Sequence, residues 1–160
     1  MSYRFCPRCA TELRTAPDAE GHDRAACPAC SFVHYDNPTP VVAAIVEHDG
    51  DVILVRNRTW PAAWFGLVTG FLERAEHPDA AVLREVKEEL GLDAGIAAFV
   101  GHYDFEQMNQ IIIAYHVVAT GEIVVGDELE AIKRVPVDRL RPWPLGTGRA
   151  VADWLETRSR

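Results

Sequence analysis

Three glutamates crowd the end of a predicted helix, in the stretch REVKEELGL between Arg84 and Leu92. Glu85 and Glu89 are four residues apart, a spacing at which like charges destabilise a helix by about a few tenths of a kcal/mol. Glu88 and Glu89 also lie in the last turn, where the helix dipole disfavours anions. Bound Mg²⁺ or Mn²⁺ would remove both objections, because these ions prefer oxygen ligands and keep waters that a phosphate can replace. The spacing therefore predicts a catalytic metal site, with a solvated acidic face as the alternative.

Four cysteines form a second candidate site, as the pairs CPRC (Cys6, Cys9) and CPAC (Cys27, Cys30). Two CxxC pairs at this separation match a four-cysteine zinc site, in which each tight turn directs two thiolates at one ion. A module of fewer than about 40 residues cannot fold on its apolar content, so the metal would supply the missing free energy. Four thiolates leave no open coordination position, and we therefore predict structural Zn²⁺. A redox CxxC pair is the alternative.

The glutamates belong to a longer pattern, GFLERAEHPDAAVLREVKEELGL. It resembles the Nudix box, G-x5-E-x7-R-E-U-x-E-E-x-G-U with U apolar. Every defined position matches, at Gly70, Glu76, Arg84, Glu85, Val86, Glu88, Glu89, Gly91 and Leu92. The resemblance implies an α/β fold, the Nudix fold, with a mixed β-sheet sandwiched between α-helices. It also implies hydrolysis of the pyrophosphate bond in a nucleoside diphosphate linked to another moiety.

The resemblance assigns roles to the acidic residues and to the first glycine. Glu85 and Glu89 match the principal metal ligands, and Glu88 matches a further ligand or the base that activates water. Gly70 matches the residue whose backbone carbonyl joins the metal shell, since a position without a side chain allows that approach.

Two further pairs of acidic or basic residues each have two possible interpretations. Glu76 and Arg84 resemble a pair that fixes the loop against the helix, and the alternative is a plain surface ion pair. A base can also come from a later loop, where Glu128 and Glu130 in GDELEA are candidates or simply exposed residues.

Two positions depart from the usual pattern of the box. Glycine often precedes the first glutamate in relatives, and here the residue is Ala75. The N-cap position is often Ser or Thr, and here it is His77, a weaker cap. Neither change removes a ligand, so we expect activity to survive.

The substrate prediction comes from the cysteine module placed before the box. NADH pyrophosphatases share this arrangement and the GFLE entry, but their S-Q-P-W-P-F-P signature is replaced here by HYDFEQMNQIII. Hydrolases of ADP-ribose and FAD have a similar junction, HYDNPTPVVAAIVEHDGDVILV. We therefore expect ADP-ribose or FAD, with an NADH/NAD pyrophosphatase as the alternative. A ring of either substrate needs a stacking surface, for which Trp60, Trp64 and Tyr103 are candidates, with ordinary packing as the alternative for each.

Turn signals and apolar periodicity predict the elements that position these residues. A turn-rich stretch, YDNPTP, separates a zinc ribbon at 1–37 from a Nudix domain at 38–160. Residues 78–90 read as a helix, because Pro78 suits its first position and Gly91 the residue past its end. Predicted strands are VVAAIVEH, VILVRN, LVTGFLE, IAAFVGHYDF, QIIIAYHVVA and EAIKRVP, and GRAVADWLETR reads as a closing helix.

Composition limits the classes of partner. The chain has 160 residues, 48% hydrophobic and 25% charged, with a net charge of −8. An acidic chain is poorly suited to gripping phosphate backbones, so we do not expect nucleic acid as a partner. We expect a nucleotide-type small molecule, no membrane and a cytoplasmic location, because no signal peptide or membrane span is recognisable, and we leave a homodimer open. The rival class is a non-catalytic nucleotide sensor or an RNA-binding zinc-ribbon protein.

Overall fold

The computed structural model describes residues 3–158 and divides the chain into two compact units, Met1–Pro38 and Thr39–Arg160. The first unit contains a three-stranded sheet and the second a six-stranded sheet. Within residues 3–158, no helix is both long enough and apolar enough to cross a membrane.

The first unit is a small antiparallel sheet with two cysteine-bearing turns. Its strands pair in chain order: β1 (Arg14–Pro17), β2 (Asp23–Ala26) and β3 (Val33–His34). Backbone hydrogen bonds close the turns, since the Cys6 N–H donates to the Thr11 carbonyl and the Cys27 N–H donates to the Phe32 carbonyl. The first cysteine of each CxxC pair thus donates its N–H to a carbonyl five residues later, so both pairs lie in turns of the same kind.

The second unit has a mixed sheet and two α-helices. Its elements are β4 (Thr39–His48), β5 (Asp51–Asn57), β6 (Val68–Phe71), α1 (Pro78–Leu90), β7 (Asp93–Phe105), β8 (Gln110–Thr120), β9 (Leu129–Pro136) and α2 (Gly148–Arg158). The strand order is β7-β8-β4-β5-β9, and β6 also pairs with β4. The β4–β8 pair is parallel and the other pairs are antiparallel.

Strand β4 is buried on both faces, which is why its sequence VVAAIV is apolar without alternation. Val42 and Ala44 belong to a core that includes the buried face of α1, whereas Ala43 and Ile45 belong to a core that includes α2. Because successive side chains of a strand point to opposite faces, the two helices cover opposite sides of the sheet. The predicted sandwich of helix, sheet and helix is confirmed.

Helix α1 begins and ends at the predicted residues because local signals fix both ends. At its start, the His77 Nδ1 atom accepts a hydrogen bond from the Asp79 N–H at 3.3 Å, so this residue does act as the N-cap. At its end, Gly91 has a φ of 70° and its N–H donates to the Lys87 carbonyl. Glycine is favoured where a helix ends in a left-handed backbone conformation, and the sequence has glycine at this position.

Candidate active site

The predicted ligand residues lie where strand β6 approaches helix α1. Gly70 pairs with Val42 in the sheet and lies directly against the side chain of Glu85. A Cβ added at Gly70 would collide with the Glu85 carboxylate. The first glycine of the pattern therefore has a steric reason in this chain: it lets a carboxylate lie against the backbone of the strand.

Glu89 has a buried carboxylate oxygen that the protein itself does not satisfy. Its Oε2 atom has no hydrogen-bond partner among residues 3–158. Burial, together with the charges of Glu85, Glu128 and Glu88, raises the pKa of Glu89 to about 8. Burial is also the main cause that raises the pKa of Glu85. A buried carboxylate of this kind is unfavourable alone, and a cation bound there would compensate it.

Arg84, on helix α1, holds the loop after β6 through a bidentate contact with Glu76. Its Nε donates to Glu76 Oε1 at 2.8 Å, and its Nη2 donates to Glu76 Oε2 at 3.0 Å and to the Phe71 carbonyl at 3.1 Å. Hydrogen bonding to Arg84 lowers the pKa of Glu76 to about 2. A bidentate contact of this kind, with a further bond to a backbone carbonyl, stabilises more than a plain surface ion pair does.

The remaining nitrogen of Arg84 reaches the predicted metal ligands. Nη1 donates to Glu85 Oε1 and to Glu88 Oε2, both at 2.8 Å. One guanidinium therefore contacts three of the four box glutamates, and it orients Glu85 and Glu88 as well as the loop. Glu88 itself is exposed, as a residue that meets substrate or water must be.

The residue before Glu76 adopts a backbone conformation that favours glycine. Ala75 has a φ of 64°, in the left-handed region. L-residues with a Cβ are strained there by roughly 1–2 kcal/mol. Alanine in place of the usual glycine at position 75 therefore keeps the loop conformation but adds backbone strain.

The loop that carries the candidate base Glu128 lies against the end of α1. Residues 121–128 join β8 to β9. The Val124 N–H donates to the Leu90 carbonyl at 2.9 Å, and the Gly126 N–H donates to the Glu89 carbonyl at 2.8 Å. Two residues later, the negative charge of Glu128 contributes to raising the pKa of both Glu85 and Glu89. Glu130 follows on β9 and is exposed.

The three predicted stacking residues have different environments. Trp64 is 61% exposed in the loop between β5 and β6 and can meet a ligand. Trp60 is partly buried, and its ring packs over Gly66. Tyr103 is buried at 5% exposure, and its hydroxyl donates to Asp153 Oδ2 at 2.7 Å. The Tyr103 ring belongs to the core under α2 and is the least accessible of the three, and its stacking role stays a prediction.

The four cysteines converge on one point in the first unit. Their Sγ atoms all lie within 4.8 Å of one another, and among residues 3–158 they are the one group of His, Cys, Asp and Glu ligand atoms that lies so close together. All four are free thiols. Their arrangement is that of a closed tetrahedral sulfur site, which fits zinc and leaves no position for a substrate.

Comparison with known families assigns both units. A model described as NUDIX domain matches residues 37–154, and one described as Nudix N-terminal, a zinc ribbon, matches residues 4–36. The chain belongs to the Nudix family. The NUDIX domain implies Mg²⁺ or Mn²⁺ at the acidic site, and the zinc-ribbon module with its four clustered cysteines supports structural zinc.

Curated relatives of this Nudix hydrolase include proteins named NAD-capped RNA hydrolase NudC. The Pseudomonas aeruginosa protein is 28% identical over 144 residues, which are 88% of this chain and 50% of the relative. The Chromobacterium violaceum protein is 32% identical over 91 residues, 57% of this chain and 33% of the relative. The chain spans about half the length of the curated relatives it matches.

Solved structures support the fold assignment. A NUDIX hydrolase from Nitrosomonas europaea has a TM-score of 0.81 at 21% identity and covers 98% of this chain and 93% of its own. A MutT NUDIX hydrolase from Burkholderia pseudomallei has a TM-score of 0.59 at 28% identity and covers 73% and 98%.

The box residues fit a divalent cation on two structural grounds. Among residues 3–158, the Glu89 Oε2 atom is buried without a donor, and the Glu85 carboxylate lies against Gly70 only because that residue lacks a Cβ. Glu85 and Glu89 both offer carboxylate oxygens, the ligand type that Mg²⁺ and Mn²⁺ prefer.

Proposed function

We propose that this Nudix hydrolase cleaves the pyrophosphate bond of ADP-ribose or FAD. The observation that carries the site assignment is the buried, unsatisfied carboxylate of Glu89 beside Glu85 and Gly70. An acidic pocket without a cation would repel a diphosphate, so these residues are useful to the protein only with metal bound. The substrate preference is supported by the stretch HYDFEQMNQIII, which stands where NADH pyrophosphatases carry their proline-rich signature.

The chain's own residues would divide the work among them. Glu85, Glu88 and Glu89 and the Gly70 carbonyl would hold the divalent cation, and Arg84 with Glu76 would keep the loop in place. When bound, the cation neutralises charge on the diphosphate and lowers the pKa of a coordinated water. Glu88 and Glu128, both exposed, are the candidates that accept the proton of the attacking water. The exposed ring of Trp64 would stack against an adenine or flavin ring.

A second candidate substrate is NADH, NAD or an NAD-capped RNA. It is supported by the names of the NudC relatives, which describe hydrolases of NAD-capped RNA. Those names do not support our expectation that nucleic acid is excluded as a partner. The net charge of −8 still argues that any RNA contact is local rather than spread over the surface.

A hydrolysis screen with Mg²⁺ or Mn²⁺ tests the proposal. The panel contains ADP-ribose, FAD, NADH, NAD, an NAD-capped RNA oligonucleotide and a diadenosine polyphosphate. We expect the highest kcat/KM on ADP-ribose or FAD. Higher kcat/KM on NADH or on the capped RNA would replace this substrate by the second candidate. Absence of hydrolysis across the panel, with metal bound, would favour a nucleotide sensor instead, although all three glutamates of the REVKEE segment are present.

A further inference from the structure

The loop between β8 and β9 is held by two sets of hydrogen bonds, and Glu128 belongs to the second set. On one side it meets the C-terminal end of α1, whose last carbonyls have no partner within the helix. The Val124 and Gly126 amides donate to the carbonyls of Leu90 and Glu89, at 2.9 and 2.8 Å. These bonds join the loop directly to the turn of α1 that carries Glu88 and Glu89.

Gly126 allows this approach because it has no side chain. A Cβ added there would lie 2.5 Å from the Glu88 carbonyl oxygen and 3.3 Å from the Glu89 Cα. Both contacts are to backbone, which cannot move aside without disturbing the end of the helix. Any other residue at 126 would therefore push the loop, and Glu128 with it, away from the glutamates of α1.

Arg58 holds the other side of the loop. It follows β5 immediately, at a bulge where Asn57 pairs with Leu129. Its side-chain Nε donates to the Asp127 carbonyl at 2.6 Å, and its own N–H donates to the Glu128 carbonyl at 3.1 Å. Two successive carbonyls are thus fixed by one residue that lies 69 positions away in sequence from Asp127.

We propose that Arg58 and Gly126 are positioning residues, which hold Glu128 beside Glu85 and Glu89 and so complete the carboxylate set that binds the divalent cation. The inference rests on the proposed function, in which Glu85, Glu88 and Glu89 bind Mg²⁺ or Mn²⁺, and it adds Glu128 to these ligands. Neither residue touches the metal or the substrate. Both act through the backbone of the loop, and the loss of either one moves an acid that the site needs.

The experiment measures Mn²⁺ binding to the full-length protein by electron paramagnetic resonance, without substrate. The variants are Arg58→Met, which keeps the aliphatic stem and the backbone N–H but removes the side-chain donor to the Asp127 carbonyl, Glu128→Gln, and the double variant. We expect each single variant to weaken Mn²⁺ binding about 10-fold, as is typical when a partner that orients a ligand is lost. The double variant should be no weaker than Glu128→Gln, because Arg58 acts through Glu128.

Two further variants separate positioning from general stability. Arg58→Lys retains a cationic donor and should recover part of the affinity. Arg141→Met removes an arginine that also donates to two backbone carbonyls, those of Asp138 and Leu140, and it should leave Mn²⁺ binding unchanged. Hydrogen exchange at the Val124 and Gly126 amides should accelerate in Arg58→Met and Gly126→Ala but not in Glu128→Gln, since only the first two loosen the loop.

The possible failures are distinguishable. Unchanged Mn²⁺ affinity in Arg58→Met would overturn the inference and leave the proposed function standing. The same is true if the losses from Arg58→Met and Glu128→Gln multiply in the double variant, because Arg58 would then act independently of Glu128. A wild-type protein that binds no Mn²⁺ would overturn the proposed function and this inference together.

Discussion

The two metal-binding regions of this chain are built in opposite ways. In the ribbon, four Sγ atoms lie within 4.8 Å of one another, and they come from two short turns. In the Nudix domain, the carboxylates proposed to bind the cation come from α1 and from a loop that follows β8, and one carboxylate oxygen is buried without a partner among residues 3–158. The first site is complete in its own ligands, whereas the second is open on one side.

The difference explains what each metal does. A closed site of four thiolates satisfies its ion fully, so its free energy stabilises the fold. An open site of carboxylates leaves coordination positions for water and for phosphate oxygens, so its ion is available for chemistry. The α/β unit has two apolar cores of its own, and no residue of 3–38 belongs to either of them. Loss of metal should therefore unfold one region and only inactivate the other.

Removal of zinc has the largest expected effect. A strong chelator should unfold residues 3–38, because zinc binding contributes on the order of 10 kcal/mol in comparable small modules. The α/β unit should remain folded. Two-dimensional NMR would show collapse of the ribbon amide signals and retention of the sheet signals.

The Cys9→Ser variant provides a second route to the same result, and it should resemble the chelated protein. Dispersed ribbon signals in a protein shown to be metal-free would contradict the structural role of zinc. A loss of the sheet signals upon chelation would contradict the contrast between the two regions.

The next largest effect concerns the open site. Glu89→Gln should reduce kcat with Mg²⁺ by at least about 100-fold, since a positioned cation supplies several kcal/mol to the transition state. In the absence of metal, the same variant should unfold at a temperature no lower than wild type, because it removes a buried carboxylate crowded by Glu85, Glu128 and Glu88. Kinetics and thermal unfolding with a chelator measure the two effects.

The matched control is Glu156→Gln, which changes an exposed glutamate on the other helix, α2. It should leave both kcat and the unfolding temperature unchanged. An undiminished rate in Glu89→Gln would mean that the metal ligands are assigned wrongly.

Without metal, the unfolding free energies of wild type and Glu89→Gln should depend differently on pH between about pH 4.5 and pH 8. Burial raises the folded-state pKa of Glu89 from 4.5 to about 8, so without metal the folded state retains a proton that the unfolded state releases. The stability that this proton provides is present below about pH 4.5 and is lost as pH rises to about 8. The difference in unfolding free energy between wild type and Glu89→Gln, measured with a chelator present, should follow that decline.

Metal binding should show the opposite trend, because the cation needs the ionised carboxylate. Mn²⁺ affinity should increase with pH by about 10-fold per unit below about pH 8 and then level off. Calorimetry in two buffers of different ionisation enthalpy would detect the released proton. Affinity that is flat between pH 6 and pH 8 would show that Glu89 is already ionised without metal.

The parts of the molecule that local sequence determines were predictable, and those that depend on distant contacts were not. The bounds of α1 follow from Pro78 and Gly91, and the turn at Asp49 and Gly50 follows from the dipeptide itself. Both CxxC pairs form turns closed by nearby backbone bonds. In contrast, nothing near Glu128 in sequence indicates that Arg58 holds its loop, because that contact exists only after β5 and β9 have paired.

Tyr103 shows a second reason why the environment of a residue was not predictable. A strand alternates its faces with a period of two residues, so the face of one residue can be counted from another. Strand β7 breaks that count twice before Tyr103, with register shifts between Ile96 and Ala98 and between Phe99 and Gly101. Bulges of this kind turn a side chain to the other face. An exposed stacking role and a buried core role therefore could not be separated from the sequence.

The smallest expected effect concerns the loop that joins the two halves of the box. Ala75 has a φ of 64°, a conformation that glycine adopts without strain. Ala75→Gly should stabilise the α/β unit by up to about 1 kcal/mol, because relief of backbone strain exceeds the extra entropy that glycine has in the unfolded chain. Ala80→Gly is the matched control, since Ala80 is an exposed residue with helical backbone in α1.

The control should lose roughly 0.5–1 kcal/mol, the usual penalty of glycine within a helix. Opposite signs for two identical substitutions five residues apart would establish that backbone conformation, not side-chain contact, is the cause. Chemical denaturation of the zinc-loaded protein would measure both. If Ala75→Gly is destabilised as much as Ala80→Gly, the Ala75 methyl group makes a contact worth more than the strain, and the loop tolerates alanine for that reason.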